Sequence, residues 1–175
     1  PSEEDPEPAD RPLLDRWLIS RLDSVVRDVR AELDGYQITR AYRILGDFVV
    51  EDLSNWYVRR SRSRFWGNSD PGDMRAAFRT LWDALRQVSL LAAPVVPFVA
   101  DWLHRALTDT SVHLERYPQP SDLTDEELEA DMASARALVS LGRAAREEVQ
   151  VRVRQPLRVA EAVLPQGRTL SGEVL

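Results

Sequence analysis

Proline placement constrains this chain more than any other feature. Prolines stand at 1, 6, 8 and 12, then at 71, at 94 and 97, at 118 and 120, and at 156 and 165. The long intervals between them suit helices, because a proline inside a helix removes a hydrogen bond and costs about 3 kcal/mol. Within those intervals apolar residues recur three and four positions apart. Leu14, Trp17, Leu18, Leu22, Val25, Val26 and Val29 mark one face of a helix over 13–33, which Asp34-Gly35 ends. Ala41, Ile44, Leu45, Phe48, Val49, Leu53 and Trp56 mark a second helix over 38–65, about 40 Å long at roughly 1.5 Å per residue. A turn cluster, Asn68-Ser69-Asp70-Pro71-Gly72, precedes a third helix over 73–93. Pro94 and Pro97 then interrupt the pattern before a fourth helix carrying Phe98, Trp102, Leu103 and Leu107.

Residues 111–123 read as a loop. A fifth helix spans 124–150, opened by Thr124-Asp125-Glu126-Glu127, a capping box in which Glu127 lies three residues after the cap. After Pro156 the pattern changes, and Leu157, Val159 and Val163 suggest a short strand. The expected fold is all-α, an up-and-down helical bundle with a short C-terminal strand-like segment. The expected organisation is an acidic flexible linker over 1–11, a main helical bundle over 12–120, and a fifth helix with the start of a further unit over 121–175. All five tryptophans precede residue 103, which places the main core in the first two thirds.

Composition excludes several functions. Cysteine is absent, so disulfides, thiolate metal sites and cysteine nucleophiles are excluded from these residues. Two histidines, His104 and His113, are too few for a histidine metal cage, and we expect no metal site. No apolar run approaches the roughly 20 residues of a membrane span, and the acidic, proline-rich start is unlike a targeting signal. The net charge of −6 is uneven: residues 11–108 carry 15 arginines against 12 acids. The basic middle keeps nucleic acid among the candidate partners despite the acidic total. Lysine is absent, so no lysine-dependent chemistry resides here. We find no glycine-rich phosphate loop and no nucleophile–base spacing, hence no catalytic residues.

The stretch that carries information is Asp52-Leu53-Ser54-Asn55-Trp56-Tyr57-Val58-Arg59-Arg60-Ser61-Arg62-Ser63-Arg64-Phe65-Trp66. Four arginines in six residues, bracketed by aromatic pairs, combine phosphate-binding charge with stacking surface. A solvated helix end is the plainer account, since arginine also suits the negative end of the helix dipole. On a continuous helix Asp52, Trp56 and Arg59 project onto the apolar face, which makes them structural. Arg60 and Arg64 project together on another side and Arg62 on a third. With Trp66, these are the candidate RNA-binding residues.

That same stretch resembles the signature helix of the anticodon-binding domain of isoleucyl-tRNA synthetase, a class I aminoacyl-tRNA synthetase. Ser111-Val112-His113-Leu114-Glu115-Arg116-Tyr117-Pro118 resembles the family's SVHL loop, and Val151-Arg152-Val153-Arg154-Gln155-Pro156-Leu157 resembles its KVRQPL segment, with Arg152 where lysine is common. Leu13-Leu14-Asp15-Arg16-Trp17-Leu18-Ile19-Ser20-Arg21-Leu22 matches its D.W.LSRL start. The resemblance covers residues 12 to 157. It implies a cytoplasmic enzyme that uses ATP to attach isoleucine to its tRNA, with zinc where the family's metal site is present. The nucleotide-binding motifs His-Ile-Gly-His and Lys-Met-Ser-Lys-Ser have no counterpart here, so the resemblance implies a non-catalytic part. Its implied partners are the anticodon arm of isoleucine tRNA and the rest of the synthetase polypeptide. Valyl- and leucyl-tRNA synthetases share the bundle and are the alternatives within the class. An alternative of another kind is a helical protein-interaction module binding an acidic partner.

Overall fold

The computed structural model describes residues 5–67, 70–159 and 161. They form two compact units, the first ending at Thr124 and the second beginning at Asp125. Among the described residues there are helices and turns but no strand. Three prolines fall at the starts of long helices: Pro12 caps α1 (Leu13–Asp34), while Pro71 and Pro97 open α4 (Pro71–Ala92) and α5 (Pro97–Thr108). A first-turn position has no intrahelical partner for its N–H, so proline costs nothing there. Asp70 completes the start of α4 by accepting from the backbone N–H groups of Gly72 and Asp73.

Trp17, Leu18, Val25, Val26 and Val29 of α1 are buried, as are Leu45 and Phe48 of the second helical segment and Leu91 of α4, whereas Leu90 of α4 packs in a cluster with Ala100 and Val112. The predicted second helix is α2 (Ile38–Asp47), a π-helix (Phe48–Val58) and, past a turn at Ser61, the short α3 (Arg62–Trp66). The continuous α-helix expected over 38–65 is therefore corrected. A π-helix closes its hydrogen bonds over five residues instead of four, which rotates every later side chain. Asp52 and Tyr57, five apart, both face inward. Trp56 is half-buried, and Arg59, expected on the apolar face, is exposed.

The first helix ends at Asp34 with Gly35 as its C-cap, as expected. Tyr36 and Gln37 donate their N–H groups to the carbonyls of Leu33 and Glu32, a Schellman arrangement. Its left-handed position falls on Tyr36, φ 57°, one residue beyond Gly35. In α5 the large residues point outward: Phe98 and Trp102 are exposed, whereas Ala100 and His104 are buried. Small Ala100 permits close packing, and His104 Nδ1 lies 2.9 Å from Ser89 Oγ of α4.

Residues 5–11, expected as a flexible linker, are tied to α4. Arg11 is buried and donates to Thr80 Oγ1 and Asp83 Oδ2, and Arg79 pairs with Asp5. The loop after α5 contains a short 3-10 turn (Val112–Leu114) held by Asp101, which accepts from Ser111 Oγ at 2.6 Å and Val112 N at 3.0 Å. Farther on, Asp23 of α1 accepts from Ser121 N, Ser121 Oγ and Thr124 Oγ1. Thr124 is thus engaged elsewhere and does not cap the fifth helix.

The second unit is built on α6 (Glu126–Glu148). Asp125 caps it by accepting from Leu128 N at 2.9 Å, which corrects the capping box expected from Thr124. Arg146 of α6 donates to the carbonyls of Arg152 and Gln155, so the residues after the helix turn back on its end. The strand expected after Pro156 is not formed at Leu157 or Val159; Val163 lies outside the described residues.

Candidate nucleic-acid interface

An acid sits where the apolar stripe of α1 should continue. Asp15, three residues before Leu18 and seven before Leu22, is 0% exposed. A buried carboxylate requires charge and hydrogen bonds to offset its lost hydration. Arg64 supplies both, its two terminal nitrogens reaching Asp15 Oδ1 at 2.7 Å and Oδ2 at 2.6 Å. The Tyr57 hydroxyl donates to Asp15 Oδ1 at 2.6 Å. Arg64 also reaches Asp73 Oδ1 at 2.8 Å and the Asp73 carbonyl at 3.1 Å, so one guanidinium fastens α3 to α1 and α4. Burial alone would lower the Arg64 pKa, but the hydrogen bond and charge of Asp15 raise it. Tyr57 is raised by burial and then by Asp15. Both groups keep their protons throughout the physiological range.

Arg64 was grouped with Arg60 and Arg62 by the sequence; the structure separates them. The turn at Ser61, φ −82° and ψ 7°, breaks the helix and sets a new phase for α3. Within α3, Arg62 and Trp66 are four apart and share a face, whereas Arg64 lies between them and turns inward. Arg62 is exposed and makes no ion pair among the described residues. Arg60 is exposed and lies over the Trp56 ring, 3.8 Å from its centroid. Stacking uses the flat face of a guanidinium, while its N–H donors lie around the rim. Arg59 is exposed as well.

Trp66 is 76% exposed, too open to cap a core. The residue after it must be glycine, because a Cβ at Gly67 would collide with the Ser63 carbonyl oxygen. Gly67 donates its N–H to that carbonyl at 2.8 Å and ends α3, which leaves Trp66 at the helix terminus. Asp52, the remaining structural candidate, is buried and accepts from Arg21 Nε at 3.3 Å.

Elsewhere, a cavity of about 390 Å³ is lined in part by Arg11, Arg79 and Asp83. These charges pair with each other, with Asp5 and with Thr80. The cavity therefore offers a weaker ligand surface than the end of α3. No group of three metal-ligating side chains occurs among the described residues. None of the described helices is long and apolar enough to cross a membrane.

Residues 15–161 match the model of the anticodon-binding domain of tRNA ligase. Isoleucine–tRNA ligase of Streptomyces coelicolor is 47% identical over 99% of this chain and 17% of its own length. The enzyme so named from Deinococcus radiodurans is 50% identical over 87% of the chain and 14% of its own. For that of Porphyromonas gingivalis the values are 47%, 85% and 13%. The chain thus spans less than a fifth of the length of these curated relatives. It belongs to the anticodon-binding domain family of tRNA ligases.

Proposed function

We propose that this chain is the anticodon-recognition part of an isoleucine–tRNA ligase, binding the anticodon arm of isoleucine tRNA through the outer face of α3 and the Arg60 that precedes it. The observation that carries the reading is the division of arginines at the end of the second helical segment. Arg64 is consumed by Asp15, while Arg60, Arg62 and Trp66 remain on the outside. Single-stranded RNA loops are bound by phosphate contacts that set register and by aromatic rings on which splayed bases stack. Arginines beside an exposed indole supply both.

In the whole enzyme ATP would drive the attachment of isoleucine, in the cytoplasm, on a catalytic domain outside these residues. The role of this part is to hold the tRNA in register with that domain. The similarity to isoleucine–tRNA ligases supports isoleucine over valine or leucine as the amino acid. The test is a titration of the chain with the isoleucine tRNA anticodon stem-loop, the same stem-loop with an altered anticodon, and an acidic peptide. Tighter binding of the first supports the reading. Equal affinity for both stem-loops removes anticodon recognition, and preference for the peptide replaces RNA with a protein partner.

A further inference from the structure

We propose that Phe78 of α4, braced by Phe65, joins Trp66 in a platform on which an unstacked nucleobase lies. The proposal rests on the RNA-binding reading above and extends the site to a helix the sequence did not implicate.

Three rings form a chain of contacts across α3 and α4. Phe65 meets Trp66 edge-on, centroids 5.9 Å apart and planes at 81°. Phe65 also meets Phe78, with 5.1 Å between centroids and 63° between planes. The middle ring is half-buried, while Trp66 is 76% and Phe78 49% exposed. Edge-to-face contact is a favoured aromatic geometry, so the rings hold one another in orientation before any ligand arrives. Such a contact covers at most one face of a ring, which leaves stacking surface on both outer members.

Folding does not account for this exposure. Ala76 and Ala77, the two residues before Phe78, fill the inward side of α4. Phe78 follows them onto the open side, where it meets solvent and Phe65. An aromatic pair in water, beside outward-facing arginines, suits a nucleobase, because every base has a π-face and its phosphate carries the matching charge. The platform is anchored: Arg64, one residue before Phe65, is clamped to buried Asp15 and to Asp73 of α4. The same clamp that removes Arg64 from the RNA surface fixes the rings that remain.

The experiment uses the full chain and the isoleucine tRNA anticodon stem-loop, with 2-aminopurine placed in turn at each loop position. Stacking on an aromatic ring changes the fluorescence of that base. Phe78→Leu keeps an apolar side chain against Phe65 but removes the π-face, and Phe78→Tyr keeps both. Phe78→Leu should lose the fluorescence change at one loop position and weaken binding about 5- to 150-fold, the range for one stacked base. Phe78→Tyr should restore both, and thermal unfolding of the variants should match the parent. Wild-type affinity and fluorescence in Phe78→Leu would overturn the platform while leaving RNA binding intact. Failure of the unmodified chain to bind any labelled stem-loop would instead overturn the reading on which the platform rests.

Discussion

Replacing Arg64 by methionine removes the cation from Asp15 while keeping most of the side-chain length. Asp15 is 0% exposed, and the Arg64 side chain is only 12% exposed. Water cannot readily replace the lost guanidinium, and the Tyr57 hydroxyl supplies a single hydrogen bond to Asp15. Breaking such a buried pair costs about 3–5 kcal/mol. For a chain of this size each kcal/mol lowers the melting temperature by roughly 2–4 °C, so Arg64→Met should fall by about 6–20 °C. Asp15→Asn should also destabilise, because Arg64 loses its buried carboxylate and keeps only the more exposed Asp73. The double variant leaves no stranded charge in that pair and should cost less than the two single changes together. Far-ultraviolet circular dichroism during thermal and urea unfolding measures all four proteins. The expected coupling is at least about 2 kcal/mol; additivity within about 0.5 kcal/mol would refute the clamp.

Asp52→Ala should cost about 1–2 kcal/mol, less than a fully buried pair, because Arg21 is 31% exposed and can rehydrate; a loss above 3 kcal/mol in urea unfolding would contradict this. Tyr36→Gly should raise stability by up to about 1 kcal/mol, since Tyr36 is 89% exposed and holds a left-handed conformation that favours glycine; a lowered melting temperature would count against it. Asp101 is held down to about 2 from 3.8, first by the Ser111 hydroxyl and then by Arg105. A depressed carboxyl stabilises the fold above its unfolded value and loses that contribution as pH falls. The stability gap between the protein and Asp101→Asn should therefore be constant above about pH 4 and close towards pH 2; a gap independent of pH would exclude the effect.

The helices were legible because proline and apolar spacing act locally, and both survive in α1, α4 and α5. The phase of the second helical segment was not, because nothing in Phe48–Val58 distinguishes a π-helix from an α-helix by composition. That single change moved Tyr57 inward in place of Trp56 and left Arg59 outside. Asp15 offered a signal that the periodicity contained: a carboxylate in line with Leu18 and Leu22 needs a cation. Which arginine answered it depended on the turn at Ser61, a tertiary outcome. Phe78 was invisible for a related reason, since its partner Phe65 lies on a different helix. In α5, close packing on α4 selected Ala100 and His104 for the interior, and the aromatic residues that hydropathy favours went outside.

The salt dependence of stem-loop binding tests the division of the arginines most directly. Each phosphate neutralised on a single strand contributes about 0.7 to the slope of log affinity against log salt. Arg60→Gln with Arg62→Gln should flatten that slope by about 1.4. Adding Arg64→Met, measured where the protein remains folded, should leave the slope where the double variant put it, because Arg64 is already neutralised by Asp15. An unchanged slope in the double variant, or a further loss of about 0.7 on removing Arg64, would contradict the account.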